Sequence, residues 1–550
     1  MTSTMTRRTF ASLAAATAAS AMVGGALSGC APTGAKDASK GTSPKGTADL
    51  VVVGAGAAGL AGAAAAAKSG ASVIVLEAAA SAGGTTAISG GHYKFFDEEL
   101  TSLLPKRTEE SDATLQKYLD MKPADLNDYG DALETLQDQI KSYLASDSKQ
   151  EFDSLEYWLV LHYLGTATDT FDELAAKDVV APPYKLIYPA YEKQAEIKNW
   201  LEEGEFDFEA FGSNEEGGGP FSVNPTAPVA QGSAFITILR TFAEEAGAKI
   251  VTNAKVTQLV TEDNRVTGAI TESGAFYAAN KAVLLASGGY AANTELVAKN
   301  DVRWKFGNEG LGSCEPESND GSALMAAQEI GAATANLGYN QYQTFPASGA
   351  SSIEETIPMC MMASKIAVNK EGKRFLDDSN RFATQSSMIS LGQTDSMYYL
   401  IGDAGGIEAM GDLRNKYLKT GDLTEGDTIE EAANAQGLDG AAVAAEVALY
   451  NSYVDAGADP DFGREKLGSK IEGAPYTIMA MREYVQHTMG GVVIDETGHV
   501  VDQDGNAIEG LFAAGEAVGN LDGAQRRHGD NFAQILYYGC LCGKTVAESL

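Results

Sequence analysis

The chain has 550 residues, of which 75 are acidic and 40 are basic, so its formal net charge at pH 7 is −35. A surface this acidic repels nucleic-acid phosphates and anionic lipid headgroups, which argues against nucleic-acid binding and against a basic membrane-binding patch. A chain of this length is expected to form about two to four domains. Its five cysteines include neither a CxxC pair nor a CxxCH motif, so the sequence predicts no cysteine metal site and no covalent haem.

The first thirty residues have the pattern of an export signal. Arg7-Arg8 precedes a weakly apolar run of small residues, which ends in Leu27-Ser28-Gly29-Cys30. Such a pattern is typical of a bacterial signal peptide. The arginine pair resembles a twin-arginine signal and the last four residues resemble a lipobox. Residues 1–30 are therefore expected to direct export and to leave Cys30 as a lipid anchor on the outer face of the cytoplasmic membrane; the alternative is a chance arginine pair before a general secretion signal. Residues 31–47 are rich in turn-forming residues and predict a flexible tether.

A glycine-rich turn between a strand and a helix follows this tether. Residues 49–53 form an apolar strand, Gly54-x-Gly56-x-x-Gly59 comes next, and Glu77 ends a second strand. Such glycines allow a tight turn, a close approach of pyrophosphate and close helix packing, and the acid accepts hydrogen bonds from ribose hydroxyls. The sequence therefore predicts a dinucleotide site.

FAD is favoured over NAD by two further features. Residues 83–91 contain a second glycine-rich stretch, of the kind needed where backbone passes close to a flavin ring. Far along the chain, 510–517 reads as a strand that ends in Glu516, and Asn531 opens the last helix. The positive end of that helix is expected to face the negative charge that develops on a flavin.

These motifs, with Ser287-Gly288-Gly289-Tyr290 and His487-Thr488-Met489-Gly490-Gly491, resemble the fumarate reductase/succinate dehydrogenase flavoprotein family. The soluble periplasmic branch, which includes fumarate and urocanate reductases and flavin ketosteroid dehydrogenases, is the most similar. The resemblance implies an α/β fold, with a Rossmann-like FAD-binding domain from residues 48–335 and 484–550 and an inserted α+β capping domain from residues 336–483. The residues expected to contact FAD are Gly54, Gly56, Ala57, Ala58, Gly59, Glu77, Ala78, Gly84, Thr85, Thr86, Gly90, Gly91, Val256, Gly288, Glu516, Asn531, Ala533 and Ile535.

The resemblance also implies catalytic residues. In the family, arginine and histidine side chains hold a substrate carboxylate, and one arginine donates a proton to the carbon–carbon double bond. His487, Arg381, Arg526 and Arg527 match these positions, and the spacing from Asn531 favours Arg527 over Arg526. Because a free arginine is essentially never deprotonated, the acid role comes from the resemblance alone. The alternatives are a structural histidine and solvated surface charges.

One stretch departs from the family pattern. Residues 340–346 have no histidine where the dicarboxylate reductases carry one. Tyr342 and Phe345 in this stretch predict a larger, more apolar pocket, with a place in the protein core as the alternative.

The sequence therefore predicts an extracytoplasmic FAD-dependent oxidoreductase acting on CH–CH bonds. Its expected reaction is reduction of an activated double bond in an enoate-type organic acid, used as an anaerobic electron acceptor. Electrons are expected from a separate membrane or periplasmic donor, such as a cytochrome, a quinol-linked protein or an FMN protein. The alternatives are a flavin dehydrogenase of ketosteroid-like substrates, a fumarate reductase proper, and a non-catalytic exported electron-transfer flavoprotein.

Replacing Arg7 and Arg8 together by lysine should block export. A twin-arginine signal needs the guanidinium pair, so the precursor should stay in the cytoplasm with FAD bound. Cell fractionation and immunoblotting of the variant and the parent measure this. Normal export of the double variant would indicate a different secretion route.

Overall fold

The computed structural model describes residues 43–166, 179–211, 222–302, 311–349, 365–378, 392–411, 413–464, 467–527 and 529–550. The strands in these ranges are β1 (Gly46–Val53), β2 (Val73–Leu76), β3 (Asp207–Phe211), β4 (Ser222–Ala227), β5 (Lys249–Val251), β6 (Val256–Glu262), β7 (Arg265–Thr271), β8 (Phe276–Leu285), β9 (Gly312–Ser313), β10 (Thr334–Ala335), β11 (Asn340–Pro346), β12 (Ile366–Asn369), β13 (Met397–Gly402), β14 (Leu423–Gly426), β15 (Tyr476–Thr488), β16 (Gly491–Val492), β17 (His499–Val501) and β18 (Ala507–Ala513).

The α-helices in the same ranges are α1 (Ala57–Lys68), α2 (Gly84–Ile88), α3 (Glu109–Asp120), α4 (Gly130–Leu144), α5 (Leu155–Thr166), α6 (Tyr184–Glu192), α7 (Gln194–Glu202), α8 (Gly232–Glu245), α9 (Thr294–Asn300), α10 (Ser322–Glu329), α11 (Ala404–Met410), α12 (Leu413–Thr420), α13 (Ile429–Ala435), α14 (Gly440–Ala456) and α15 (Asn531–Glu548). Within the part of the chain that the structure describes, no helix is both long enough and apolar enough to cross a membrane.

The first sheet places the glycine-rich turn at its centre. Its strand order is β17-β18-β8-β1-β2-β5, and the pairs from β18 to β5 are all parallel. The antiparallel pair β6 and β7 is attached to the outer part of β8. In β1 the apolar residues Ala48, Leu50, Val51, Val52 and Val53 are buried, as expected for a strand covered on both faces. The expected α/β fold class is confirmed, and strands from the two ends of the chain build one sheet.

Helices α1 and α15 pack against each other through small residues. A Cβ atom on Gly543 would lie 2.2 Å from the carbonyl oxygen of Gly62, and one on Gly539 would lie 2.5 Å from that of Ala58. These distances are too short for any side chain, so the two helix backbones are in direct contact. The matching pairs rise together along both helices, so α1 and α15 run parallel and their N-termini point to the same edge of the sheet.

A second sheet lies in the middle of the chain. Its order is β11-β15-β13-β12, and β14 and β9 also pair with β15. One face packs on α13 and α14 and the other on α11 and α12, each with its own apolar cluster. Strand β15 continues past residue 484, the predicted border of the cap, and β9 joins this sheet from the segment expected in the first domain.

Helices α3 to α7 form a layer that the sequence did not predict. Residues of α6 and α7 pack against α15, and the aromatic side chains of Trp158 on α5 and Tyr191 on α6 are fully buried. This layer therefore covers one side of the last helix.

A buried ion network holds the segment that leads to Arg381. The Nε of Arg374 donates to Asp378 at 3.0 Å, and its Nη2 donates to Asp459 at 2.8 Å. The Nη1 of Arg464 donates to the other oxygen of Asp378 at 2.8 Å. Because both carboxylates are fully buried, each needs its guanidinium partner.

Replacing Arg374 by methionine should lower the free energy of unfolding by about 3 kcal/mol, because Asp459 and one oxygen of Asp378 lose their charged partner. Urea unfolding measures this. The matched control is Lys141→Met, since Lys141 and its partner Asp138 are 62% and 81% exposed. The control should change the same free energy by less than about 1 kcal/mol. Equal losses in both variants would contradict the assigned role of the network.

Candidate active site

Gly54, Gly56 and Gly59, which follow β1, have different structural roles. A Cβ on Gly54, whose φ is +102°, would lie 2.3 Å from the carbonyl oxygen of Ala286. A Cβ on Gly59 would lie 2.1 Å from the carbonyl oxygen of Gly54, so this glycine sets the contact between helix and strand. A Cβ on Gly56 would have its nearest neighbour, Thr86 Oγ1, 3.9 Å away, so the backbone there is open to a ligand. Helix α1 begins beside this open backbone, at Ala57, and a helix N-terminus next to open backbone is a phosphate-binding arrangement.

Glu77 is fixed at the end of β2. Its Oε2 accepts from the Ala55 amide at 2.7 Å and its Oε1 accepts from the Ala79 amide at 2.8 Å. A carboxylate has about four lone-pair positions, so two remain for ribose hydroxyls. The amide of Ala254 donates to the Glu77 carbonyl at 2.8 Å, which brings Val256 and Ala78 to the same corner.

The second glycine-rich stretch lies against the first. Thr86 Oγ1 accepts from the Ala57 amide at 3.4 Å, so α2 contacts the N-terminus of α1. Gly84 and Gly91 have φ values of +52° and +71°, the left-handed region that favours glycine. A Cβ on Gly91 would lie 2.6 Å from the backbone of Gly232, so the stretch that contains Gly90 packs directly on α8.

The other end of the site is built around Glu516. Its Oε1 accepts from the Thr488 amide at 3.0 Å and lies 3.3 Å from His487 Nδ1. Its Oε2 accepts from Asn319 Nδ2 at 3.2 Å. A Cβ on Gly288 would lie 3.4 Å from that same nitrogen, so the predicted flavin contact Gly288 borders this group. The structure thus brings residues from β8, β15 and β18 to one edge of the sheet.

The first turn of α15 faces the same edge. Asn531 Nδ2 donates to Asp522 Oδ2 at 3.1 Å, while Asn531 Oδ1 is buried and has no partner among the described residues. Ile535 and Ala58 flank Gly515, and Ala533 is fully buried with its carbonyl bound by Gln194.

The two adjacent arginines point to different partners. Arg526 Nε donates to Gln341 Oε1 at 3.0 Å, beside His487. Arg527 Nη1 donates to Asp530 at 3.0 Å, and its guanidinium lies over the ring of Trp158. The predicted preference for Arg527 rested on spacing, whereas the structure brings Arg526 into contact with the strand that carries the expected cap residues.

Burial dominates the protonation of this cluster. Burial lowers the pKa of His487 to about 4, against an opposing effect of Glu516, so its imidazole is neutral at pH 7. Burial raises the pKa of Asp522 to about 6. Burial and the neighbouring Glu516 raise the pKa of Glu315 to about 8. Burial also lowers the pKa of Arg526, although four nearby carboxyl groups oppose the shift. The site is therefore mixed in charge, and not the positive cluster that its arginines and histidine suggest.

Arg381 and the two aromatic residues Tyr342 and Phe345 were also expected at the site. Arg381 lies outside the described residues. Tyr342 belongs to the main apolar core and its hydroxyl donates to Asp301 at 2.6 Å, so its position matches the core alternative. Phe345 is also buried, with its ring 5.5 Å from that of Tyr484 in an edge-to-face contact.

Sequence reasoning missed several residues of the site. Glu315 and Asn319 lie in a stretch with no recognisable spacing, and Asp522 sits in a loop. Asp530 directly precedes Asn531, which the sequence pointed to, and its partner His162 lies in an apolar helix. Only Asp530 had a signal, because a buried acid directly before a helix needs a cationic neighbour.

The fold and this edge define a class of protein: a flavoprotein whose nucleotide binds to a parallel sheet. The residues fit FAD because the backbone is open at Gly56, a fixed acid stands at the ribose position, and the buried Oδ1 atoms of Asn319 and Asn531 lack partners among the described residues. Gly54, Gly56, Glu77, Glu516 and Asn531 would hold the cofactor.

A family model described as an FAD binding domain matches residues 49–531. The chain belongs to this family and its cofactor is FAD. An NADH:acrylate oxidoreductase of Vibrio harveyi is 28% identical over 519 residues, which are 91% of this chain and 50% of the relative. A urocanate reductase of Eggerthella lenta is 32% identical over 276 residues, which are 48% of this chain and 44% of the relative.

A solved structure of a flavocytochrome c3 fumarate reductase in its open conformation has a similar fold. Its TM-score is 0.71 at 26% identity, covering 93% of this chain and 80% of that chain. The expected resemblance to fumarate reductase-type flavoproteins is confirmed. The chain spans about half the length of the curated relatives that it matches.

Gly56→Ala and Gly59→Ala should separate cofactor binding from folding. The Gly59 variant should lose at least about 2 kcal/mol of unfolding free energy, because its Cβ overlaps a carbonyl oxygen. The Gly56 variant should keep its stability within about 1 kcal/mol and bind FAD at least about tenfold more weakly, because its Cβ fills the space open to the phosphates. Urea unfolding and fluorescence titration of the flavin-free proteins measure both. An unchanged FAD affinity in the Gly56 variant would contradict the phosphate position.

Proposed function

We propose that the protein is an FAD-dependent oxidoreductase that reduces an activated carbon–carbon double bond in an enoate-type organic acid. One observation carries the proposal. His487 and Arg526 lie beside Gln341 at the end of β15 and β11, next to Glu516 and Asn319, where strands of the FAD-binding sheet end. Names of the relatives, an acrylate oxidoreductase and a urocanate reductase among them, support the same substrate class.

Bound FAD supplies hydride transfer to carbon. The chain holds the acceptor in place. Arg526 uses its Nε on Gln341 and keeps its two Nη groups, which donate to no other described residue, for a carboxylate. An orienting bond from the protein to Nε fixes the plane of the guanidinium before the substrate arrives, which lowers the entropy lost on binding.

His487 acts as a neutral group. With its Nδ1 against the Glu516 carboxylate, the Nδ1 carries the proton and the Nε2 is an acceptor. It therefore orients a polar substrate group and adds no positive charge. Arg381 remains the proposed proton donor to the second carbon.

The proposal includes export through the residue 1–30 signal, anchoring at Cys30 and electrons from a separate donor protein. A lipid-anchored enzyme on the outer face of the cytoplasmic membrane would meet membrane or periplasmic electron carriers directly. The sequence patterns of residues 1–30 support this location.

Arg526→Met should lower kcat/KM for an enoate by at least about tenfold, or about 1.4 kcal/mol, because the carboxylate loses its charged partner. The control is Arg527→Met, the same substitution at the neighbouring arginine. It should mainly lower the unfolding free energy, by at least about 1 kcal/mol, because buried Asp530 loses a charged hydrogen bond. Anaerobic reoxidation of the reduced flavin and urea unfolding measure the two effects. The reverse pattern would mean that Arg527 binds the substrate, as the spacing suggested.

Fumarate should be a poor substrate. It carries two carboxylates, but Gln341 and Gln343 are neutral, His487 is neutral, and Arg526 is the one cation of the described cluster that donates no hydrogen bond to a described carboxylate. Neutral hydrogen bonds replace only part of the hydration that a second carboxylate loses. An aryl or alkyl enoate should therefore exceed fumarate in kcat/KM by at least about tenfold. Fumarate, urocanate and a cinnamate-like acid compared on the same reduced enzyme test this, and a preference for fumarate would overturn it.

A further inference from the structure

A second carboxyl group lies beside Glu516 without a role in the proposed reaction. The Oγ1 of Thr85 donates to Glu315 Oε2, so this carboxyl contacts the glycine-rich stretch that borders the flavin. Asn319 Nδ2 lies 3.4 Å from the same Glu315 oxygen and 3.2 Å from Glu516 Oε2. One amide group therefore bridges two carboxyl groups, which places the two acids close together.

Both contacts between Asn319 and the two acids are made by its amide nitrogen. The Asn319 side chain is buried. Two ionised carboxylates that share one buried amide nitrogen repel each other, and protonation of one of them removes that repulsion.

Few positive charges lie near Glu315 and Glu516 to compensate for their negative charges. Arg526 is the cation that acts on Glu315, and the same guanidinium also faces Asp522 and Glu516. His487 is neutral, and the Cys314 thiol beside Glu315 has its pKa raised by burial, so neither supplies a charge. Several carboxyl groups thus share one guanidinium, and removing one charge by protonation relieves the site.

We propose that Glu315, paired with Glu516, takes up a proton when the neighbouring flavin is reduced. Two electrons from a donor protein, or from a photoreductant, would add to FAD together with one proton. The negative charge that remains on the ring is offset by a second proton from solvent, which forms an O–H bond with a Glu315 carboxylate oxygen. No group leaves and no other reactant is consumed. The proposal rests on FAD binding alone and holds whatever the electron acceptor is.

The pH range of the extra proton uptake follows from the direction in which the pKa of Glu315 is shifted. Because the pKa of Glu315 is raised to about 8, the carboxyl is already protonated at about pH 6 and reduction adds nothing there. At about pH 9 it is ionised in the oxidised protein, and negative charge on the reduced flavin raises its pKa further. The extra uptake should therefore appear at about pH 9 and approach about one proton per FAD.

Proton uptake on photoreduction of the FAD-bound protein, followed with a pH indicator dye in weak buffer, tests the proposal. At about pH 9 the parent should take up about one proton per FAD more than the Glu315→Gln variant. At about pH 6 the proton uptake of the two proteins should be the same. The amide keeps an acceptor for Thr85, so the local hydrogen bond is retained. The matched control Glu317→Gln changes an exposed acid two positions away and should behave as the parent. Equal uptake by the parent and Glu315→Gln at both pH values would overturn the proposal.

A second variant, Glu516→Gln, tests the pairing independently, because its amide keeps an oxygen that can accept from the Thr488 amide while the negative charge is removed. Removing the neighbouring negative charge should lower the pKa of Glu315, so the extra uptake should begin at a lower pH than in the parent. An unmoved pH range would overturn the paired-carboxyl assignment. Neither measurement uses an alkene, so failure of the proposed substrate class would leave both results unaffected.

Discussion

The backbone contact between α1 and α15 is the constraint on which the site depends. Glycine at 62, 539 and 543 lets the two helices run parallel without intervening side chains. Ala58 faces Gly539, so α1 begins one residue before this contact whereas α15 begins eight residues before it. At 1.5 Å per residue, the N-terminus of α15 reaches about 10 Å beyond that of α1. The N-terminus of α1 would therefore face the pyrophosphate of FAD, and the N-terminus of α15 would face a group further along the cofactor.

Strand β15 extends this constraint into the second sheet. It pairs with β11 and β13 in the middle of the chain, yet its last residues, His487 and Thr488, bind Glu516 of the FAD-binding side. Gln341 on β11 is the cross-strand partner of His487 and also receives the bond from Arg526. A shift of the second sheet would therefore change the orientation of Arg526 and His487 together. The proposed substrate contacts and the position of this sheet are therefore linked through Arg526, His487 and Gln341.

Local signals predicted much of the fold, and non-local contacts account for what was missed. The turn at Gly54–Gly59 follows from short-range rules, because glycine, strand and helix lie within one unit. Glu315 and Asp522 reach the site through loops whose course depends on tertiary packing. The choice between Arg526 and Arg527 could not come from spacing, since neighbouring side chains of an irregular loop point in directions that only their partners decide. The helices from Glu109 to Glu202 were missed because their burial depends on α15, far away in sequence.

The acidic surroundings of Arg526 connect the two proposals. A substrate carboxylate must compete with Glu516, Asp522 and Glu315 for one guanidinium, so each ionised acid weakens its binding. Protonation of Glu315 on flavin reduction removes one competitor at the moment when an acceptor is needed. By thermodynamic linkage, an anionic acceptor then binds the reduced protein more tightly than the oxidised protein, and its binding raises the pKa of Glu315 in return. The net charge of −35 disfavours anion binding in both redox states, so binding of an anionic acceptor depends on the local charge of Arg526. Selective binding of the acceptor to the reduced state therefore needs no movement of the chain.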